Sequence, residues 1–238
     1  MGARETPSGG GPRLADRLIE RFPPRRFDRG DVVLHGLVPG APAPKREPAL
    51  GLVVAGLVRV SWMRGYGAPG SRASAVVAGD GRWIGAEAFR TGENLFLYEA
   101  LVPTTAALVP LDWIRSKASP AVLFDALHSV SLDWCRRISG PGVSRETDYR
   151  RTLVLFHDLR RLHAAPAIEL RQKQVAEMVG VRRKELLPIL QRLERAGLVR
   201  LGFGEVSVGA LEDLREALRH RRVAADDPFR DPSAPDRA

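Results

Sequence analysis

Two spacings of apolar residues divide this chain. Between Arg26 and about Leu111 they come in short β-branched or alternating runs broken by glycines: DVVLHG, ALGLVVAGLVRVSWM, ASAVVAGDGRWIG and LYEALVPTTAALVPL. A period of two bounded by turn residues is the mark of a strand, and runs this short and closely spaced predict an antiparallel sandwich or barrel. VAGLVRV and VAGDGRWIG each predict strand, tight glycine turn, strand. A short helix from about Leu14 to Phe22, stopped by Pro23 and Pro24, is predicted ahead of them.

Beyond residue 118 the period becomes 3.6. Val122, Leu123, Ala126, Leu127, Val130, Trp134 and Ile138 predict a helix with Ser119 as cap and Pro120 as its first residue. After Gly-Pro-Gly at 140–142, Ser144 is placed to cap a second helix, RETDYRRTLVLFHDLRRLH, with Leu153, Phe156, Leu159 and Leu162 along one stripe. Such a stripe needs a surface to bury against, either the rest of its own domain or a second copy of the chain.

The segment QVAEMVGVRRKELLPILQRL, residues 174–193, breaks a good helix at a glycine and reopens it with Arg182, Arg183 and Lys184. Val175, Val179, Leu186, Ile189, Leu190 and Leu193 supply an inward face, Ala176 is small where helices cross, and Gly180 falls at the turn. This is the helix-turn-helix pattern, with a first helix near Arg171–Met178 and a second opening near Arg182. Three cations at a helix N-terminus oppose the macrodipole, and an anionic partner relieves that cost. The second helix of such a motif carries its first residues into the major groove, where Arg and Lys reach guanine edges and phosphates. Arg182, Arg183 and Lys184 are therefore the expected base and phosphate contacts, and Gln172, Lys173 and Arg192 expected phosphate contacts. Downstream, Leu198–Leu201 and Glu205–Val208 flank GFG as a hairpin, the wing of a winged helix.

Charge sharpens this picture. Of 238 residues, 37 are Lys or Arg and 28 Asp or Glu, for a formal net charge of +9. Residues 171–200 hold eight basic and three acidic side chains, so a surplus of five lies in thirty residues. A field of that sign favours a polyanion. The lone cysteine, Cys135, excludes an internal disulfide and any site built from four cysteines of one chain; it reads as a small buried hydrophobe. His35, His128, His157, His163 and His220 form no i, i+4 pair and no HExxH. No metal and no cofactor is expected, and no enzymatic activity. No stretch has the ~20 apolar residues of a membrane span, and the first residues lack the apolar core of a secretory signal, so no membrane partner and a cytoplasmic location are expected.

The order of β-domain, long helix, helix-turn-helix and wing resembles the CRP/FNR family of bacterial transcription regulators, from about Arg25 to Leu218. QKQVAEMVGV, LLPILQRLERAGLVR and GFGEVSVGALEDLREAL match the family's motif, wing and closing helix; FDRGDVVLHG, VAGLVRV and VAGDGRWIGAEA resemble its cyclic-nucleotide-binding β-roll. The resemblance implies an α+β chain: an N-terminal antiparallel β-roll, jelly-roll-like, over 13–118; a dimerisation helix region over 119–163; and a C-terminal winged helix-turn-helix over 164–222. Residues 1–12 and 223–238, rich in Gly, Pro and charge, are expected to be disordered. It also implies a homodimer that reads double-stranded DNA at a two-fold-symmetric operator and contacts RNA polymerase.

The departures carry expectations of their own. The family's Gly-Glu is followed by an Arg-Ser pair that grips the cyclic phosphate; here GAEA carries an extra Ala86, and Phe96 and Leu97 fall where the pair would be. A phosphate needs a cation or several donors, so tight cAMP binding is not expected, the effector is unassigned, and Glu87 reads as a structural carboxylate satisfying turn amides. Arg183 holds the family's arginine position, but Lys184 replaces its acidic base-reader, and Pro188 lies inside the helix, at ~3 kcal/mol unless the helix kinks. Two other readings compete. One is an architectural, nucleoid-type DNA binder of low sequence preference. The other is a cupin-type enzyme, disfavoured because only His35 lies in the β region.

Overall fold

The computed structural model describes residues 14–36, 47–62, 76–117 and 147–219. They fall into two compact units, one ending at Pro141 and the other beginning at Gly142. The predicted helix from Ser119 to Ile138, with Cys135 and His128, the Gly-Pro-Gly break, Ser144, His220 and the two terminal segments lie outside the described residues.

In the first unit the helix α1 (Leu14–Arg21) precedes β1 (Arg25–Phe27), β2 (Val32–Leu34), β3 (Ala49–Ala55), β4 (Val58–Trp62), β5 (Val76–Ala78), β6 (Trp83–Ile84), the turn of helix α2 (Ala88–Thr91), β7 (Phe96–Ala100), β8 (Thr104–Pro110) and α3 (Leu111–Lys117). Two four-stranded antiparallel sheets result, ordered β1-β8-β3-β6 and β2-β7-β4-β5. The glycine turns predicted in VAGLVRV and VAGDGRWIG do separate strands, but they are corners rather than hairpins. β3 and β4 lie in different sheets, as do β5 and β6. Gly56 makes its corner at φ +114, where a Cβ would meet Thr104 within 2.9 Å, and its N–H donates to Asp80 Oδ1 at 2.7 Å, tying the two corners together.

Between the sheets lie Val33, Val53, Val58, Val60, Ile84, Phe96, Tyr98 and Ala106; on the outer side of the first sheet Leu50, Leu52, Trp83 and Val109 pack with Leu18 of α1 and Leu111 and Ile114 of α3. This explains why ALGLVV is apolar without alternation: β3 is covered on both faces. β7, covered on one, alternates buried and half-buried residues.

The second unit contains α4 (Asp148–Leu162), β9 (Ile168–Arg171), α5 (Gln172–Val179), α6 (Arg183–Arg195), β10 (Val199–Leu201), β11 (Glu205–Val208) and α7 (Leu211–Arg219). Thr147 caps α4, its hydroxyl accepting from the Arg150 N–H. The stripe of Leu153, Phe156, Leu159 and Leu162 is buried, and α4 packs on α5, α6 and α7. Of the two surfaces the stripe could have sought, its own domain supplies the one it found. The sequence-based boundary at 163/164 thus differs from the contact pattern, which groups Asp148–Leu162 with the winged unit because its buried side chains serve that unit's core.

The wing has three antiparallel strands, ordered β10-β11-β9, where the sequence reading gave two. β9 pairs Ile168 with Val208 and Arg171 with Glu205. Its alternation of buried Ile168 and Leu170 with exposed Glu169 and Arg171 was visible in AIELR.

Candidate nucleic-acid interface

α5 ends at Gly180, which takes φ +79 and returns its N–H to the Ala176 carbonyl at 2.9 Å; the Val181 N–H bonds the same carbonyl at 3.0 Å. A left-handed residue with two bonds to one acceptor turns the chain within three residues, and Arg182 is already the N-cap of α6. Val175, Ala176 and Val179 of α5 and Leu186, Leu190 and Leu193 of α6 are all buried. Burial of 186, 190 and 193 fixes the roll of α6 about its axis, so 183, 184, 187, 188, 191 and 195 face outward.

Both helices open by the same device. The Arg171 N–H donates to Gln174 Oε1 at 3.1 Å, and the Arg182 N–H donates to Glu185 Oε2 at 3.0 Å; in each the N3 side chain satisfies the N-cap amide. Glu185 also receives the Arg182 guanidinium. Those hydrogen bonds, first from the side chain and then from the backbone, hold the Glu185 carboxyl below the usual glutamate range and raise Arg182. One of the three cations that open α6 is therefore locally compensated. Arg183 and Lys184 are exposed, and Arg183 has no hydrogen bond or ion pair among the described residues.

The remaining expected contacts separate. Lys173 stands in solvent at the start of α5, with only a 4.0 Å approach to Glu177. Gln172 is 5% exposed; its Nε2 donates to the Glu205 carbonyl at 3.3 Å and its N–H to the Gly204 carbonyl at 2.9 Å. As a phosphate contact this side chain is misplaced, because its amide is engaged in fastening the wing to α5. Arg192 lays its guanidinium over the Tyr149 ring, 4.7 Å from the centroid, so it bridges α6 to α4 rather than extending outward. Neither partner is near in sequence, and spacing alone could not have shown it.

Three features of this surface went unread in the sequence. Leu187 is 41% exposed on the outward face of α6, beside exposed Pro188. Phe203 stands wholly in solvent at the wing tip, between Gly202 and Gly204. The Leu201 N–H donates to Glu194 Oε1 at 2.8 Å, coupling the wing to α6. As for Pro188, α6 runs uninterrupted from Arg183 to Arg195. Lying in the second turn, the proline forgoes the bond to the Lys184 carbonyl, at the solvent-facing side of the helix.

The roll contains the other region the sequence singled out. Glu87 accepts the Leu95 N–H at 3.1 Å on Oε1 and the Tyr98 hydroxyl at 2.6 Å on Oε2. Burial pushes its carboxyl above the usual glutamate range, and these two hydrogen bonds pull it partly back. Burial, and then the charge of Glu87, push the Tyr98 phenol well above its ordinary value. Asn94 is buried alongside, its Oδ1 accepting from Ala49 N–H at 3.1 Å and its Nδ2 donating to the Ala49 carbonyl at 3.0 Å. Phe96 faces the core edge-on to Tyr98, and Leu97 is half-buried opposite Ser61. Among the described residues no three of His, Cys, Asp and Glu gather as a metal site would require, and no helix is long and apolar enough to cross a membrane.

No protein-family model and no curated protein matches the chain. Solved structures do. A CRP/FNR-family transcriptional regulator from Thermus thermophilus is similar with a TM-score of 0.58 at 22% identity, over 83% of this chain and 99% of that one. FixK2 from Bradyrhizobium japonicum gives 0.59 at 15%, over 81% and 95%. The global regulator CLP of Xanthomonas campestris, described as c-di-GMP responsive, gives 0.56 at 18%, over 81% and 98%. A likeness that spans nearly the whole of each of those chains establishes that this chain shares their fold.

Proposed function

We propose that the chain is a sequence-specific DNA-binding transcription regulator of CRP/FNR type, acting as a homodimer and without cAMP. The observation that carries the reading is the exposed, outward pair Arg183 and Lys184 at the N-terminus of the second helix of a winged helix-turn-helix. At that position a helix entering the major groove presents its cations to base edges, while Lys173, at the start of the first helix, is placed for a phosphate. A homodimer would repeat the contact about one helical turn of DNA away, roughly 34–36 Å, on a two-fold-symmetric operator. RNA polymerase, as the machinery such a regulator addresses, and a cytoplasmic location belong to the same reading.

Independence from cAMP is supported by the roll. A cyclic phosphate requires cations or convergent donors. Glu87 is already engaged by Leu95 and Tyr98, and Phe96 and Leu97 supply neither charge nor side-chain donor.

The test is selection of bound fragments from a random duplex library by the full chain with no ligand added, at low and near-physiological salt. Recovery of a palindromic motif at the higher salt, unchanged by added cAMP, is the expected result. Sequence-independent binding that collapses with salt would overturn it in favour of an architectural binder, since nonspecific affinity is nearly all counterion release. A motif that sharpened only with cAMP would overturn the cAMP clause alone.

A further inference from the structure

The outward face of α6 is apolar at Leu187 and Pro188, with Gln191 one turn further on. Leu187 lies one turn beyond Arg183, and Pro188 one turn beyond Lys184. Leu187 is 41% exposed, although it sits on the most basic stretch of the chain, between Arg183, Lys184 and Arg195. Neither acidic residue of the helix is hydrogen-bonded to those cations: Glu185, which also feels the charge of Lys184, is held by Arg182, and Glu194 accepts from the Leu201 N–H. Cations lie toward both ends of this face and Leu187 with Pro188 between them, so the complementary surface is anionic at its edges and apolar opposite Leu187. The major groove at an A·T pair has this form, with phosphates along both walls and the thymine C5-methyl group projecting from the floor.

Resting on the DNA-binding reading above, we propose that Leu187, with the Pro188 ring beside it, is a specificity-determining residue that reads a thymine methyl group in each half-site. Four residues of helix rise about 6 Å, and successive base pairs stack at about 3.4 Å. The thymine therefore lies one to two base pairs from the pair read by Arg183. Pro188 contributes only its apolar ring beside the methyl group, since its missing N–H would face the helix's own Lys184 carbonyl and not the groove.

The duplexes recovered from the selection are resynthesised with each thymine replaced in turn by deoxyuridine, which removes the methyl group and keeps the pairing. Affinities are measured with the full wild-type chain and with Leu187→Gln. Wild type is expected to lose about fourfold at one thymine per half-site, the worth of one buried methyl-sized group. Leu187→Gln, folded by circular dichroism since its side chain supports no core, is expected to bind both duplexes alike. A loss that persists in Leu187→Gln, or no loss at any thymine, would overturn the inference while leaving sequence-specific binding intact. A gain confined to duplexes carrying 5-methylcytosine would also overturn the commitment to thymine. Recovery of no preferred sequence at all would sink the regulator reading and this inference with it.

Discussion

The roll and the winged unit differ in whether the charged groups the sequence singled out are already engaged. In the roll, Glu87, the acidic residue that the resemblance singles out, is turned on Tyr98 and Leu95, with Asn94 on the Ala49 backbone nearby; elsewhere in the roll Arg59 meets Glu99 at 2.7 Å across β4 and β7. The winged unit also buries polar side chains, Thr152, Gln172 and Gln174, but Arg183 and Lys184 at the start of α6 stand outside. A buried polar group without a partner costs roughly 1–3 kcal/mol, so a ligand of the Glu87 carboxylate would have to replace the hydrogen bonds that Leu95 and Tyr98 already make to it. A surface that leaves Arg183 uncompensated is ready for a ligand. The difference supports the reading proposed above, in which the second unit makes the contact with DNA.

The largest expected effect breaks the winged unit. Phe156 is fully buried on α4, where α5, α6 and α7 converge. Phe156→Ala should cost about 3–5 kcal/mol in unfolding by denaturant and abolish DNA binding with it. Retained stability would show that α4 does not hold that core.

Next is Arg183→Ala, which should weaken binding to a selected duplex by ~1–3 kcal/mol and relax preference at one position, with an unchanged melting temperature. Unchanged specificity would remove Arg183 from the interface and erase the contrast between the units.

The smallest effect concerns the roll. Because the folded Glu87 carboxyl titrates above its ordinary value of 4.5, it contributes stability that is present below that value and lost as pH rises through the raised one. Glu87→Gln cannot titrate. The stability of wild type relative to Glu87→Gln should therefore fall as pH rises across this window, followed by thermal unfolding at several pH values. A pH-independent difference would mean that the carboxyl is not held in a desolvated site.

Much of this molecule was legible in its sequence, because some patterns have one local cause. Gly180 between two amphipathic segments, Ala176 at the crossing and the 186, 190, 193 spacing need only helix geometry, and both ends of the first helix and the start of the second came out within about a residue. β11 came out at Glu205–Val208. Lys173, Arg183 and Lys184 are exposed as expected, since the spacing of apolar neighbours alone decides which side of a helix is wet. β9 was legible in its alternation and went unread because four residues are little signal.

Other features had no local cause. The glycine turns at 56 and 81 predict a reversal of the chain, but whether a reversal makes a hairpin or a corner depends on which strands it finds, and β8 and β7 arrive from some fifty and forty residues away. The stripe of α4 declared only that it must be buried; α7, some fifty residues on, covers it. Gln172 and Arg192 looked like surface polar residues until the Glu205 carbonyl and the Tyr149 ring came beside them. Periodicity and composition thus determined the elements, the wet face of α6 and the sign of its charge, because these follow from backbone geometry and nearest neighbours. Which polar groups remain outward for a partner was decided only by the tertiary structure, because satisfying a hydrogen-bonding group is a matter of what the fold brings within about 3 Å of it.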